Sequence, residues 1–370
     1  MESKVKQGYL LLADLSGFTQ FMASAELEHA QEIISDLIDT VCKSLKPVFK
    51  IAEIEGDAIF AYTFEEQFSR GETLLELIEL TYYNFTFRKN IMQEKSTCVC
   101  NACQSIRKVD LKFINHFGSF ALQNYSGNIK PLGSDVNLVH RLLKNSIKEK
   151  SDIKCYALFS ENCMKKIDLP AGIFIQIREN YEHFGDVNIF VTDLSDSFKR
   201  LSEAKQNIIN EEDADFIAEH QFEMPPAVLW EWLIDNGKRE LWMEKAKWSK
   251  GERPEGRMSA GATNHCVHGK DAHLEVILDW KPFEYYTYES GSKPFFIIST
   301  LKLIENEKGT VLHEIIMLKN KLPKFLKRLL VKLIALKILK VYESYKKIEE
   351  ISAKEFTLQQ QDRVQMQEMV

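Results

Sequence analysis

Asp14 closes the apolar run "LLLA", and Asp57 follows the "EG" of a tight turn 43 residues later. Carboxylates at the ends of neighbouring strands can meet. Together they repel unless a proton or a cation intervenes, and a pair of Mg²⁺ or Mn²⁺ ions would supply the cation. Behind Asp14, "SGFT" offers backbone N–H groups at a helix start, a setting that binds phosphate oxygens. Asn137 and Arg141 stand four apart and so share one helical face. An amide and a guanidinium there can stabilise charge developing on a phosphate or a ribose oxygen. These residue types describe either a harmless strand-to-helix turn or a metal site with a phosphate cradle behind it.

The elements that would position them can be read from periodicity. Residues 8–14 form a buried strand, and residues 26–46 a helix whose apolar positions Ala30, Ile33, Ile34, Leu37, Ile38, Val41 and Leu45 follow the helical period. Strands at about 47–54 and 57–63 pair through "EGD". A helix carrying Leu74, Leu75, Leu77, Ile78 and Leu80 comes next, then a loop around "CVCNACQS". "VDLKFINHFGSFAL" is a strand able to extend into a hairpin. "GSDVNLVHRLLKNS" turns into a helix with Val136, Val139, Leu142 and Leu143 on one side. Strands near 154–159, 172–178 and 186–192 follow. The order βαββαβ with later strands predicts an α+β sandwich with a mixed sheet and a ferredoxin-like core.

"LLLADLSGFTQFM", "AEIEGDAIFAY", "LKFINHFG" and "GSDVNLVHRLL" resemble, in this order, the four main motifs of the class III nucleotide cyclase homology domain. The spacing of the aspartates agrees, and the resemblance covers about residues 7–193. It implies a βαββαβ-cored, cyclase-type sandwich that dimerises head to tail. It also implies an interfacial site that turns a nucleoside triphosphate into a 3′,5′-cyclic nucleotide and pyrophosphate. Carried onto this sequence, Asp14, Asp57 and the Leu15 carbonyl would bind two Mg²⁺ or Mn²⁺, and Gly17, Phe18 and Thr19 amides would face the phosphates. Asn137 would orient the ribose, and Arg141 would stabilise the transition-state phosphate from the partner chain of a homodimer. Glu53 and Lys130 stand where the resemblance places the residues that read the base. They depart from the adenylate pattern and point to GTP or a pyrimidine nucleotide rather than ATP. The expected triphosphate-binding lysine falls on Phe184, which keeps open an inactive domain serving as a sensor or adaptor.

Cys98, Cys100 and Cys103 lie within six residues, a spacing compatible with Zn²⁺ if Cys155, His116 or a partner's cysteine completes the set. Free thiols in an insertion are the other reading. His116 sits where the cyclase family often carries a strand histidine and reads as structural.

The polar segment 195–212 reads as a helical linker. After it, "EHQFEMPPAVLWEWLIDNGKRELWM" resembles the opening of START-like, polyketide-cyclase-like helix-grip domains, and that resemblance covers about residues 213–352. It implies an antiparallel sheet curled around a long C-terminal helix, with a cavity for a lipid or other hydrophobic small molecule. The residues show no paired acid and base in this half, so binding is favoured over catalysis. A single helix is expected from about Pro323 to Ile351. Its lysines and leucines fit either a membrane-surface helix or a lid whose lysines face water, the lid being the simpler. Residues 353–370 read as a polar tail.

The 370-residue length allows two cores, 1–194 and 213–352. A net charge of −6 argues against a general nucleic-acid binder. No apolar run reaches transmembrane length, no signal peptide opens the chain, and the seven irregularly spaced cysteines fit reduced thiols in a cytoplasm.

Overall fold

The structure, a computed structural model, describes residues 5–353 apart from 69, 96–100, 126–127, 152, 204–206, 244–245, 269–270 and 293–294. The chain divides into two compact units, Met1–Ala204 and Lys205–Val370.

The first unit begins with β1 (Val5–Ser16), α1 (Phe18–Ser24) and α2 (Leu27–Leu45), then the hairpin of β2 (Lys50–Glu55) and β3 (Ala58–Phe64). After α3 (Gly71–Lys95) and α4 (Asn101–Ser105), β4 (Asp110–Tyr125) folds back on β5 (Asn128–Leu132). Then come α5 (Ser134–Leu142), α6 (Ile147–Lys150), β6 (Tyr156–Ser160), α7 (Glu161–Ile167), β7 (Ile175–Tyr181), β8 (Gly185–Asp193) and α8 (Leu194–Glu203). The strands order as β2-β3-β1-β4-β6-β8-β7, with β5 paired to β4. β1 is antiparallel to β3 and β4, while β4 and β6 are parallel. The expected α+β fold with a mixed sheet and a ferredoxin-like core is therefore present.

β1 lies inside the sheet, which is why its sequence is nearly continuous in apolar residues. Strand periodicity puts Leu10 and Leu12 on one face, where they join Phe60, Ile114 and the α5 residues Val136, Val139 and Leu142 in one core. Asp14 is the next residue of that row, so its carboxylate extends the stripe that α5 covers. α8, from the segment read as a linker, packs on α3: Ser197 Oγ donates to Glu79 Oε1 at 2.6 Å, and Tyr83 meets Phe198 at 5.4 Å.

The second unit contains β9 (Phe216–Phe222), α9 (Pro226–Ile234), α10 (Asn236–Trp242), β10 (Ala246–Lys250), β11 (Thr263–His268), β12 (Asp271–Lys281), β13 (Tyr285–Ser292), β14 (Phe295–Asn306) and β15 (Gly309–Lys319). They form one antiparallel meander, β10-β11-β12-β13-β14-β15-β9, closed by the first strand. Pro226 opens α9, a position that needs no N–H donor. Trp230, buried with Trp232, meets Trp280 and Tyr286 at 4.8 and 5.6 Å, so these tryptophans are core.

The closing helix differs from the sequence expectation. It starts as α11 (Lys324–Leu333), widens into a π turn at Ile334–Ile338, and breaks at Lys340, whose φ is 48°. A second helical run covers 341–353. Its residues Val341, Tyr345 and Ile348 are buried, and the Tyr345 hydroxyl donates to Glu314 of β15. Neither Pro nor Gly marks the break. Both runs meet the sheet, α11 through Val331 and the second run through Tyr345, so the break lies between two packed segments.

Candidate functional site

Asp14 is 9% exposed near the end of β1, directly across from Ala58 on one side and Lys112 on the other. Its Oδ2 accepts an ion pair from Lys112 Nζ at 3.0 Å. Asp57 lies in the β2–β3 turn after Gly56, which takes the left-handed φ of 62° that the turn requires. The Leu15 N–H donates to the Asp57 carbonyl at 3.1 Å, tying this turn to the end of β1. Burial and then the neighbouring Asp14 charge push the Asp57 carboxyl above the usual carboxylate range, partly offset by Lys112. The structure thus brings both predicted aspartates together and adds a lysine that the sequence reading did not single out.

At Gly17 the chain turns with φ 83° into α1. A Cβ here would sit 2.5 Å from the Lys108 carbonyl, so both conformation and space require glycine. Thr19 is exposed and Phe18 half-buried just beyond it.

Asn137 and Arg141 are exposed on α5, opposite its buried Val136, Val139 and Leu142. Within one chain no hydrogen bond or ion pair joins them to Asp14 or Asp57 among the described residues. Glu53 and Lys130 do meet: Lys130 Nζ and Glu53 Oε1 form an ion pair at 2.5 Å between β2 and β5. A register shift between Ile51 and Glu53 aims the glutamate. Phe184 occupies the β7–β8 turn, with its N–H on the Tyr181 carbonyl and its ring against the α5 core. No cation stands at that position.

His116 explains why "NHFG" and "GSD" belong together. It is buried, with Nδ1 2.6 Å from Ser160 Oγ and Nε2 3.3 Å from Asp135 Oδ1. Asp135 Oδ2 also accepts the Ser119 N–H at 2.7 Å. The His116 contact first, and then the Ser119 N–H bond, hold the Asp135 carboxyl below the usual range against its burial. A Cβ on Gly118 would fall 2.5 Å from the same carboxylate. β4 and the start of α5 are therefore pinned by one aspartate, which sets where Asn137 and Arg141 emerge.

The zinc expectation meets a different arrangement. Cys98 and Cys100 lie outside the described residues, as does the Cys103 side chain. Two of the proposed fourth ligands are engaged elsewhere. His116 binds Ser160 and Asp135, and the buried Cys155 thiol faces Asp193 at 3.8 Å with burial raising it to about 11. A cysteine ligates zinc as its thiolate, which that environment disfavours. Among the described residues no three His, Cys, Asp or Glu side chains gather to hold a metal ion.

Asp14 and Asp57 nevertheless fit a divalent cation of the Mg²⁺ type. Such ions are held by one or two carboxylates, with substrate phosphates and water completing the shell. Asp14 is paired with Lys112, whereas the Asp57 carboxyl has no ion pair among the described residues and is raised by burial and by the Asp14 charge.

A family model described as a protein of unknown function (DUF2652) matches residues 34–151. The uncharacterized protein Rv2561/Rv2562 of Mycobacterium tuberculosis is 25% identical over 172 residues, 44% of this chain and 74% of that protein. Among solved structures, the adenylyl cyclase CyaB from P. aeruginosa has a TM-score of 0.40 at 14% identity, covering 52% of this chain and 97% of its own. The guanylyl cyclase Cya2 has 0.40 at 12% identity, covering 52% and 93%. A bacterial light-regulated adenylyl cyclase has 0.40 at 11% identity, and the match spans 51% of each chain, about half of that enzyme. These are likenesses of shape and carry nothing about activity.

Proposed function

We propose that the first unit is a class III-type nucleotidyl cyclase acting as a homodimer on a nucleoside triphosphate, GTP or a pyrimidine nucleotide rather than ATP. The observation that carries this reading is the meeting of Asp14 and Asp57, with the Asp57 carboxyl raised by burial and by the Asp14 charge. A divalent cation bound there would lower the pKa of the ribose 3′-hydroxyl and screen the phosphates. The chain's own residues do the rest. The Gly17 turn brings backbone amides toward the phosphates. Glu53 accepts from N–H groups of the base and Lys130 donates to a carbonyl, so their mutual ion pair holds each in place until the base replaces it. Arg141 and Asn137, exposed on α5, are free to reach across to a second chain, where the guanidinium stabilises charge on the transferring phosphate. In-line attack of the ribose 3′-oxygen on the α-phosphate then breaks the bond to pyrophosphate.

A second reading is a catalytically silent cyclase fold that senses a ligand. It is favoured by Phe184, which packs on the core where a triphosphate-binding cation is expected, and by Lys112 already paired to Asp14. For the second unit we infer a START-like helix-grip domain that binds a hydrophobic molecule and regulates the first unit. The seven-strand antiparallel meander and the Tyr345 anchor of the closing helix support it.

Purified protein incubated with ATP, GTP, CTP and UTP in Mn²⁺ separates these readings. Cyclic product from GTP or a pyrimidine nucleotide, lost in Asp14→Ala and Asp57→Ala, is expected. No cyclic product from any of the four at high protein concentration overturns the enzyme reading and leaves the sensor.

A further inference from the structure

α11 is turned the wrong way for a lid. Its buried residue is Val331, followed by Ala335 in the π turn, and this side faces the sheet, where Lys327 Nζ donates to the Leu318 carbonyl at 3.1 Å. The apolar stripe lies on the other side. Leu322, Phe325, Leu326, Leu329, Leu333 and Leu336 are all exposed, and at helical spacing they fall within an arc of about 100° opposite Val331. Phe325 is 69% exposed, Leu329 60% and, beyond them, Ile338 72%. A helix whose purpose was to close a cavity would put these side chains inward.

The flanks of the stripe are basic. Seven lysines and arginines and no carboxylate fall between Lys321 and Lys340, in a chain whose net charge is −6. Arg328, Lys332 and Lys337 are exposed and have no acidic partner among the described residues. Two large hydrophobes standing in water, bordered on both sides by free cations, match one environment in both respects: a bilayer surface with anionic headgroups above an apolar interior. A nucleic acid would satisfy the cations and leave Phe325 and Leu329 in water. A second copy of the stripe would cover the leucines and set two cationic flanks against each other.

We propose that residues 321–338 dock in the plane of an anionic lipid surface, with Phe325 and Leu329 inserted among the acyl chains and Arg328, Lys332 and Lys337 on the headgroups. The run 341–353 stays seated on the sheet through Val341, Tyr345 and Ile348, so the break at Lys340 separates the anchored part from the inserting part. This mode needs neither a spanning helix nor the cyclase reading, and no helix among the described residues is long and apolar enough to cross a membrane.

Full-length protein is pelleted with vesicles of phosphatidylcholine alone or mixed with phosphatidylglycerol. Binding to the mixed vesicles only, released as salt rises, is expected. Phe325→Glu with Leu329→Glu should abolish pelleting while the unfolding midpoint stays unchanged, since both side chains are in solvent. Arg328→Gln, Lys332→Gln and Lys337→Gln together should weaken it by about tenfold or more. Failure to pellet with anionic vesicles, equal pelleting with neutral ones, or pelleting unaltered by the Phe325 and Leu329 changes overturns the proposal. So does a dimer that those two changes dissolve in a protein that ignores vesicles.

Discussion

Lys112 Nζ stands 3.0 Å from Asp14 Oδ2, one residue pair across the β1–β4 ladder, so the site holds a built-in monocation against one of its two acids. A cation and an ammonium compete for the same carboxylate charge. Lys112→Gln should lower the unfolding midpoint without divalent ions by roughly 2–4 °C, the shift that about 1 kcal/mol gives in a chain of this class. Mn²⁺ should recover it, making the ion-induced shift larger than in the wild type. Thermal unfolding with and without Mn²⁺ measures this; an equal loss in both conditions would make the pair purely structural.

Asp57 gives the site a pH signature. Its carboxyl is raised in the fold by burial and by Asp14. A raised acid binds its proton more tightly folded than unfolded, so its contribution is fully present below the unfolded pKa of about 4 and is lost as pH rises through the higher folded value. Without divalent ions, Asp57→Asn should therefore be more stable than wild type at neutral pH, and the difference should shrink on acidification. Urea midpoints across the acidic range report it.

The composite-site reading makes a mixing prediction. Arg141→Ala should leave stability within about 0.5 kcal/mol, because Arg141 is exposed, yet reduce cyclisation by about 10²–10³-fold. Asp57→Asn should be equally inactive. Co-refolded together, the two variants should regain activity, since one site of the mixed dimer then has both Asp57 and Arg141 intact. Two inactive parents giving an inactive mixture would count against shared sites.

Asp135 ties β4 to α5 through His116 and the Ser119 N–H. Asp135→Ala removes both acceptors and should cost about 1–3 kcal/mol, read as a lower denaturant midpoint. Its carboxyl is lowered in the fold, so its contribution is present above the unfolded pKa and is lost as pH falls through the folded one. The variant should accordingly lose less stability in acid than the wild type does.

In the second unit, Arg239 forks onto Glu275 at 2.9 and 3.0 Å, with Asn264 Nδ2 donating to the same carboxylate at 2.7 Å. Both charges are buried. Arg239→Ala strands Glu275 and should cost about 3–5 kcal/mol. Arg239→Met with Glu275→Leu should recover most of it, as measured by chemical unfolding of the full chain.

Periodicity carried the reading of β1, α2 and the β2–β3 turn because each has a strong local pattern. Leu10 and Leu12 had to be strand, the Ala30 to Leu45 stripe had to be helix, and "EGD" had to turn. Glu53 and Lys130 were legible only through the family resemblance, as base-reading positions; that they form an ion pair with each other came from the structure. Lys112 was not. Nothing local distinguishes it from any lysine on a strand, and only the β1–β4 register puts it against Asp14. Asp135 was hidden in the same way, since its partners His116 and Ser119 come from another element.

The closing helix divides the two kinds of information most sharply. By composition, residues 323–351 are basic, apolar and free of Pro and Gly after Pro323, and that determined helix and amphipathicity. It could not determine which side of the helix meets the sheet, because an apolar stripe by itself points inward and nothing local shows that Val331 is buried in its place. Packing decided that: Val331, Ala335 and, past the break at Lys340, Tyr345 won the places on β9 and β15, leaving Phe325 and Leu329 outside. The sequence by itself determined the elements, their order and the chemistry available at Asp14 and Asp57. Tertiary structure alone decided which charges meet and which apolar face stays open, because both depend on neighbours distant in the chain.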